Sequence, residues 1–520
     1  MIPMLLFLFC RYKVPSRKNV MDKLHKKREE AEEKIKVGLR SIEGIGITHD
    51  GWTSVATESF NTTTIHYIHE WTLKSAVLNT VKMEGSHTGE KIAQSLMEVK
   101  NKWNFPEHCW ATTDNAANEK KAFEILNWQR FGCYGHRLNL VVKNALNIPE
   151  MTKVLAKSRK LVTLFHTSSS VNDKLLEKQK LLLADKMQGH KLIADIVTRW
   201  NSSLEMLKRI LEQMPALMAV ATDESVSKSA RTAIQNCLLT FDETSLAEKV
   251  VAILEPFKKG TEIVCSETNP TINKIIPVVK KLMQSLEEDG SDPCALRELK
   301  KKMRKQMMDR TESEDVAILG TILNPYTKSF QCSPELKQKA EELLFSFVSN
   351  VKLQTQVSVK KEKDDSVPEL PALPAATEDM EIDTHAPIVP VQTDPVREEI
   401  PAKMLKSADT EDWLSDIMCV GESRVSQDDM AYEETRRYLG MALKEDDKGL
   451  TVLEWWQKNE MFFPRIAVLA KKILCVQASS VPSERVFSLA GGLVSKKRSR
   501  LSADNVDLFI FLNKNMSKFW

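Results

Sequence analysis

Gly44-Ile45-Gly46-Ile47-Thr48-His49-Asp50 opens the part of the chain that decides its fold. Phe60-Asn61-Thr62-Thr63-Thr64-Ile65-His66-Tyr67-Ile68-His69-Glu70 follows it, and Trp71 to Thr80 comes directly after. The first stretch reads as a short apolar strand ending at His49-Asp50. The next two are β-branched and aromatic with period two and almost no gap between them, so they form an antiparallel pair. Gly89 to Trp103 is amphipathic, with Ile92, Leu96 and Val99 on one helical face. His108 to Thr113 is a short strand ending at Asp114, and Ala116 to Trp128 is a helix.

Three strands, a helix, a strand and a helix, with an aspartate closing the first and fourth strands, is the order of an α/β RNase H-like core. Leu192 to Val197 is expected to supply its fifth strand. Residues 44–200 are therefore assigned to the first part of that core. Residues 1–43 read as the remnant of an N-terminal helical or DNA-binding region, with one long charged surface helix. Residues 201–352 carry helical periodicity throughout and are expected to form a large all-α insertion domain. Residues 353–427 mix seven prolines with acidic residues, a composition that buries too little surface to offset its ordering entropy, and are expected to be a disordered linker. Residues 428–520 are helical again and are expected to complete the core.

The chain has 520 residues, with Lys+Arg 74 against Asp+Glu 71, so any nucleic-acid surface must be local rather than global. Its nine cysteines include no CxxC pair, which fits free thiols in a reducing compartment. The apolar start MIPMLLFLFC is short and followed by Arg11-Tyr12-Lys13, unlike a secretory signal. No window offers the roughly 20 apolar residues of a membrane span.

Near the other end stands Ala478-Ser479-Ser480-Val481-Pro482-Ser483-Glu484-Arg485-Val486-Phe487-Ser488-Leu489-Ala490-Gly491-Gly492. It runs on to Lys496-Lys497-Arg498-Ser499-Arg500 and to the apolar run from Val506 to Leu512. This order resembles the C-terminal signature of hAT-superfamily transposases and of the host proteins related to them, the BED-type zinc finger (ZBED) family. Thr48-His49-Asp50-Gly51-Trp52 and Thr112-Thr113-Asp114-Asn115-Ala116 resemble that family's aspartate motifs. His49 stands where the family more often has a small polar residue. The resemblance implies a catalytic triad of Asp50, Asp114 and Glu484, holding two Mg²⁺ or Mn²⁺ ions if the protein is an active transposase. Hard oxygen donors converging from different elements suit such ions. Each acid also has an ordinary structural role open to it: a turn before Gly51, a cap for the 116–128 helix, and an ion pair with Arg485.

The resemblance further implies that Trp200, beside Arg199, stacks on a nucleotide flipped out near the cleavage site. The alternative is a core tryptophan at the start of the helical region. Cys133-Tyr134-Gly135-His136 resembles the family's Cys-x-x-His motif. It is half a zinc site at most and reads as structural. Lys496, Lys497, Arg498 and Arg500 suit phosphate backbone or a nuclear localisation signal. Trp455, Trp456, Phe487, Leu489, Leu508, Phe509 and Leu512 are the expected dimerisation surface, making a homodimer the expected state. Val359-Lys360-Lys361-Glu362 matches a SUMO-attachment pattern at Lys360. No complete zinc finger occurs in the sequence, and the resemblance begins around Tyr12, as in an N-terminally truncated product. The expectation is a domesticated, transposase-like nuclear protein that dimerises, associates with DNA or chromatin and acts in transcriptional regulation. The alternatives are an active transposase and a protein-interaction dimer without DNA contact.

Overall fold

The computed structural model describes residues 15–53, 57–105, 109–311, 314–351, 427–493 and 501–519. The basic cluster at 496–500, Lys360, the 353–426 stretch and the apolar start lie outside them.

Helix α1 (Arg17–Leu39) starts where the Ser16 side chain accepts the Asn19 N–H, an N-cap that satisfies one otherwise unpaired donor. It buries Ala31, Ile35 and Leu39. A five-stranded sheet follows: β1 (Ile45–Thr53), β2 (Ser59–His69), β3 (Thr72–Met83), β4 (Cys109–Thr113) and β5 (Gln129–Gly132). The order across the sheet is β3-β2-β1-β4-β5. β1, β2 and β3 pair antiparallel, and β4 joins β1 and β5 in parallel. Helices α2 (Gly89–Trp103) and α3 (Ala117–Leu126) are the crossovers that parallel pairing requires. The expected strand at Leu192–Val197 is not one. That stretch has no regular structure, and Ile196 and Val197 are 55% and 63% exposed. The fifth strand is β5, made possible because Asn127 takes a left-handed φ of 51° and stops α3.

From Gly132 onward the described residues up to Val351 form helices joined by turns. They are α4 (Tyr134–Ala145), α5 (Pro149–Thr167), α6 (Ser169–Leu182), α7 (Trp200–Thr222), α8 (Lys228–Cys237), α9 (Phe241–Val264), α10 (Ile275–Ser285), α11 (Cys294–Arg310), α12 (Asp315–Ile322) and α13 (Lys337–Ser349). After residue 426 the described helices are α14 (Gln427–Gly440), α15 (Val452–Asn459), α16 (Pro464–Leu474), α17 (Val481–Leu493) and α18 (Ala503–Phe519).

The C-terminal helices are woven into the sheet. Between α16 and α17 the backbone crosses β1 so closely that a Cβ on Gly46 would stand 2.7 Å from the Cys475 carbonyl oxygen. Glycine is the residue that permits such an approach. At the β3 edge, Val77 donates its N–H to Asn515 at 3.0 Å and accepts from the Asn515 amide at 2.8 Å. Thr80 donates to Asp507 at 2.6 Å. Helix α18 thus occupies backbone groups that an edge strand otherwise leaves open.

This weaving corrects the expected dimerisation surface. Trp455 and Trp456 are 1% and 0% exposed, packed with Tyr438 and Phe463, and the Trp456 indole donates to the Leu323 carbonyl at 2.8 Å. Leu508 and Leu512 join the core under the sheet with Phe511. Phe487 lies 5.6 Å from Trp52, ring to ring, and Leu489 packs into the same small cluster. Of the seven, Phe487, Leu489 and Phe509 keep partial exposure. Among the described residues of this region the most exposed apolar side chains are Met461, 89% exposed, and Phe462, 64% exposed.

Candidate functional site: three carboxylates at the sheet end

The parallel register pairs Thr48 with Thr112. Asp50 and Asp114 each stand two residues further on, so the same register carries both to one end of neighbouring strands. Asp50 lies inside β1, not in a turn, and its carboxylate accepts the Gly51 N–H at 2.8 Å. Asp114 follows β4 directly, and its Oδ1 accepts the Ala116 N–H at 2.9 Å. The cap of α3 itself is Ala116, without a side-chain bond. The Arg130 guanidinium, on β5, donates to the Asp114 carbonyl and to Thr113 Oγ1 at 2.8 Å, fixing the turn.

The third acid arrives from far along the chain. The segment before α17 is held by Thr112 Oγ1 donating to the Gln477 carbonyl at 2.6 Å and by Tyr134 N–H donating to the Ala478 carbonyl at 2.8 Å. Ser483, fully buried, then hydrogen-bonds Thr48 Oγ1 at 2.8 Å and donates to the Thr48 carbonyl at 3.0 Å. Thr48 and Asp50 share a face of β1, because strand side chains alternate. Glu484 therefore sits beside Asp50's face, on the first turn of α17.

The electrostatics record this proximity. Burial pushes the Asp50 carboxyl up to about 8, and the charges of Glu484, Asp114 and Glu119 push in the same direction. Burial also raises Glu484, opposed by the positive charge of Arg199, with smaller help from His136. Arg485, the expected partner of Glu484, instead pairs with Glu267 at 2.8 Å. Like charges that cannot all ionise together are the setting in which a cation binds. By donor chemistry the three carboxylates fit Mg²⁺ or Mn²⁺. Among the described residues, however, no three His, Cys, Asp or Glu side chains are gathered so as to hold a metal ion. The acids are coupled through space without yet converging on one point.

Other expected residues divide. Arg199 is exposed and acts on Glu484. Trp200 is 4% exposed and belongs to the helical core, so its ring is not available as a stacking platform; this corrects the expectation in favour of its packing role. Cys133 caps α4: its Sγ accepts the His136 N–H at 3.4 Å and approaches Ser479 Oγ at 3.3 Å. Burial raises that thiol, which suits a cap rather than a thiolate ligand.

Sequence reasoning missed Glu119. His49, on the opposite face of β1 from Asp50, places its Nδ1 3.1 and 3.2 Å from the two Glu119 oxygens. His49 is 1% and Glu119 5% exposed. The unusual histidine is thus a buried clamp between β1 and α3. Its sequence signal was its departure from the family pattern, without a partner named for it.

Three family models match the chain. Residues 48–131 match the ZBED1 RNase-like domain, residues 131–252 the ZBED1 RNase-like helical domain, and residues 434–516 the hAT family C-terminal dimerisation region. An AC transposase of Zea mays is 23% identical over 96% of this chain and 59% of its own length. Human zinc finger BED domain-containing protein 4 is 24% identical over 91% of this chain and 37% of its own. The Hobo transposase of Drosophila melanogaster is 23% identical over 85% of this chain and 65% of its own. The chain spans less than two thirds of each of these relatives.

Proposed function

The chain belongs to the hAT/ZBED-like family, and from that premise we propose that it is a transposase-derived nuclear protein that works as a homodimer on DNA, in transcriptional regulation. The observation that carries this reading is in the dimerisation region, where Met461 and Phe462 stand almost bare in water while the neighbouring tryptophans are buried. Large apolar side chains left exposed side by side mark an interaction surface. A second copy of the chain is the partner that a dimerisation region implies. Residues 201–352 act in this reading as a helical insertion between the second and third acids, and the 353–427 segment as a linker. A similar protein from Talaromyces stipitatus is described as a transcriptional regulator, which supports the regulatory role. Among the described residues no helix is long and apolar enough to cross a membrane.

The test is the solution mass of wild type against Met461→Ser/Phe462→Ser. A dimeric wild type and a monomeric, folded variant are expected. A monomeric wild type refutes the homodimer.

The raised Asp50 carboxyl favours a second reading, an active DNA transposase. Asp50, Asp114 and Glu484 would hold the divalent cations, whose chemistry is to activate a water and stabilise the leaving 3′ oxygen. Mg²⁺- or Mn²⁺-dependent nicking by wild type, lost in Glu484→Gln, would establish it.

A further inference from the structure

The whole chain carries a formal charge of only +3, yet α11 alone has seven basic residues against two acidic ones. Their arrangement is one-sided. Leu296, Leu299, Met303 and Met307 are buried and hold the helix against the body, with Lys300 buried beside them and tied to Asp292 at 2.6 Å. Arg297, Lys301, Arg304 and Lys305 are exposed on the other side, at the i, i+4, i+7 and i+8 spacing that makes one stripe. None of the four makes an ion pair with a described residue, whereas Lys302, off the stripe, pairs with Glu298 at 3.5 Å. The depression beside Arg304 also holds Lys280, Glu287 and Glu335, so Arg304 faces a mixed neighbourhood.

The C-terminal end of the helix that carries the stripe lies near the second acid. Helix α11 packs on α4, and at its C-terminal end the Arg310 carbonyl accepts from Arg137, which also pairs with Glu314. The Arg137 guanidinium lies against Gly132 beside Asn115, next to Asp114. Arg297 to Lys305 spans about 12 Å of helix at 1.5 Å per residue. That matches roughly three to four nucleotide steps of 3.4 Å along one DNA strand.

We infer that the exposed stripe of α11 binds the phosphate backbone of duplex DNA and guides it toward the three-carboxylate site. This rests on the DNA-associated reading above. Four cations seated on phosphates release counterions and contribute about −3.6 to the slope of log affinity against log salt. The contribution is independent of base sequence, since phosphate contacts position without specifying.

The experiment measures binding of the full chain to two 20-base-pair duplexes of unrelated sequence between 50 and 200 mM salt. It compares wild type with Arg297→Gln/Lys301→Gln/Arg304→Gln/Lys305→Gln. Glutamine keeps helix propensity, and an unchanged circular dichroism melt certifies the fold. The expected result is a slope shallower by about 3 to 4 in the variant, equal on both duplexes. A wild type without salt-sensitive binding overturns the DNA reading and the inference together. A wild type that binds, with the variant keeping its slope, overturns the α11 assignment alone. Equal binding of poly-glutamate and duplex to wild type would assign the stripe to acidic proteins and overturn it as well.

Discussion

Replacing Asp50 by Asn keeps the size and most hydrogen bonding of the side chain while removing the charge that the fold resists. In the folded chain this carboxyl ionises near 8 rather than at the ordinary 3.8. Between those values the folded chain holds a proton that the unfolded chain has lost. Stability is therefore highest below about pH 4 with respect to this group, and it falls as pH rises toward 8. Each tenfold step in proton affinity is worth about 1.4 kcal/mol, so the ceiling for the rise from 3.8 to about 8 is about 6 kcal/mol. Asp114 and Glu484 share the repulsion, and we expect about 2–4 kcal/mol to be recovered by Asp50→Asn at pH 8. Urea unfolding followed by tryptophan fluorescence at pH 5, 6.5 and 8 measures it. Wild type should lose stability across the series, and the variant should stay flatter and exceed wild type at pH 8. Parallel curves would refute the coupling of Asp50 to its neighbours. A cation at the site should act in the same sense as the mutation. Mg²⁺ or Mn²⁺ at 100 times its dissociation constant adds about 2.7 kcal/mol to wild type at pH 8 and much less to Asp50→Asn.

Two further substitutions separate fold from interface. Trp456→Ala should destabilise the chain by about 3–5 kcal/mol through the cavity it leaves, read by denaturation, and should show no dissociation of folded dimers on dilution beyond wild type. Asn515→Leu strands both the N–H and the carbonyl of Val77 and should cost about 2–5 kcal/mol, visible as a lower melting temperature and faster hydrogen exchange at Val77.

The first four strands and the two aspartates were legible because each carries a local signal: alternation in β2 and β3, short apolar runs in β1 and β4, and an acid after each run, although β1 continues past Asp50 to Thr53. The fifth strand was not. Gln129-Arg130-Phe131-Gly132 is too short to show a period, and it forms only because it can lie parallel to β4. Leu192 to Val197 looked like a strand by composition, but only Leu192 is buried there, and no neighbouring backbone pairs with the stretch. Direction was the other blind spot. Trp200, Trp455 and Trp456 were recognisable as important, yet nothing in a one-dimensional pattern says that their rings turn inward. Glu119 was hidden for a related reason: its link to His49 joins residues 70 apart on different elements. The family resemblance supplied the order of the acids, while the coupling among them came from geometry.

The seat of Asn515 and Asp507 on the β3 edge has a consequence for synthesis. A nascent chain emerges with β1, β2 and β3 hundreds of residues before the helix that seals them. Until α18 leaves the ribosome, the hairpin displays a free edge able to pair with any extended neighbour. Ribosomes that stall or terminate before α18 would release chains with that edge uncovered, fit for aggregation or for capture by chaperones. Synthesis of α18 is thereby written into the solubility of the chain, and copies that lack it are expected not to accumulate.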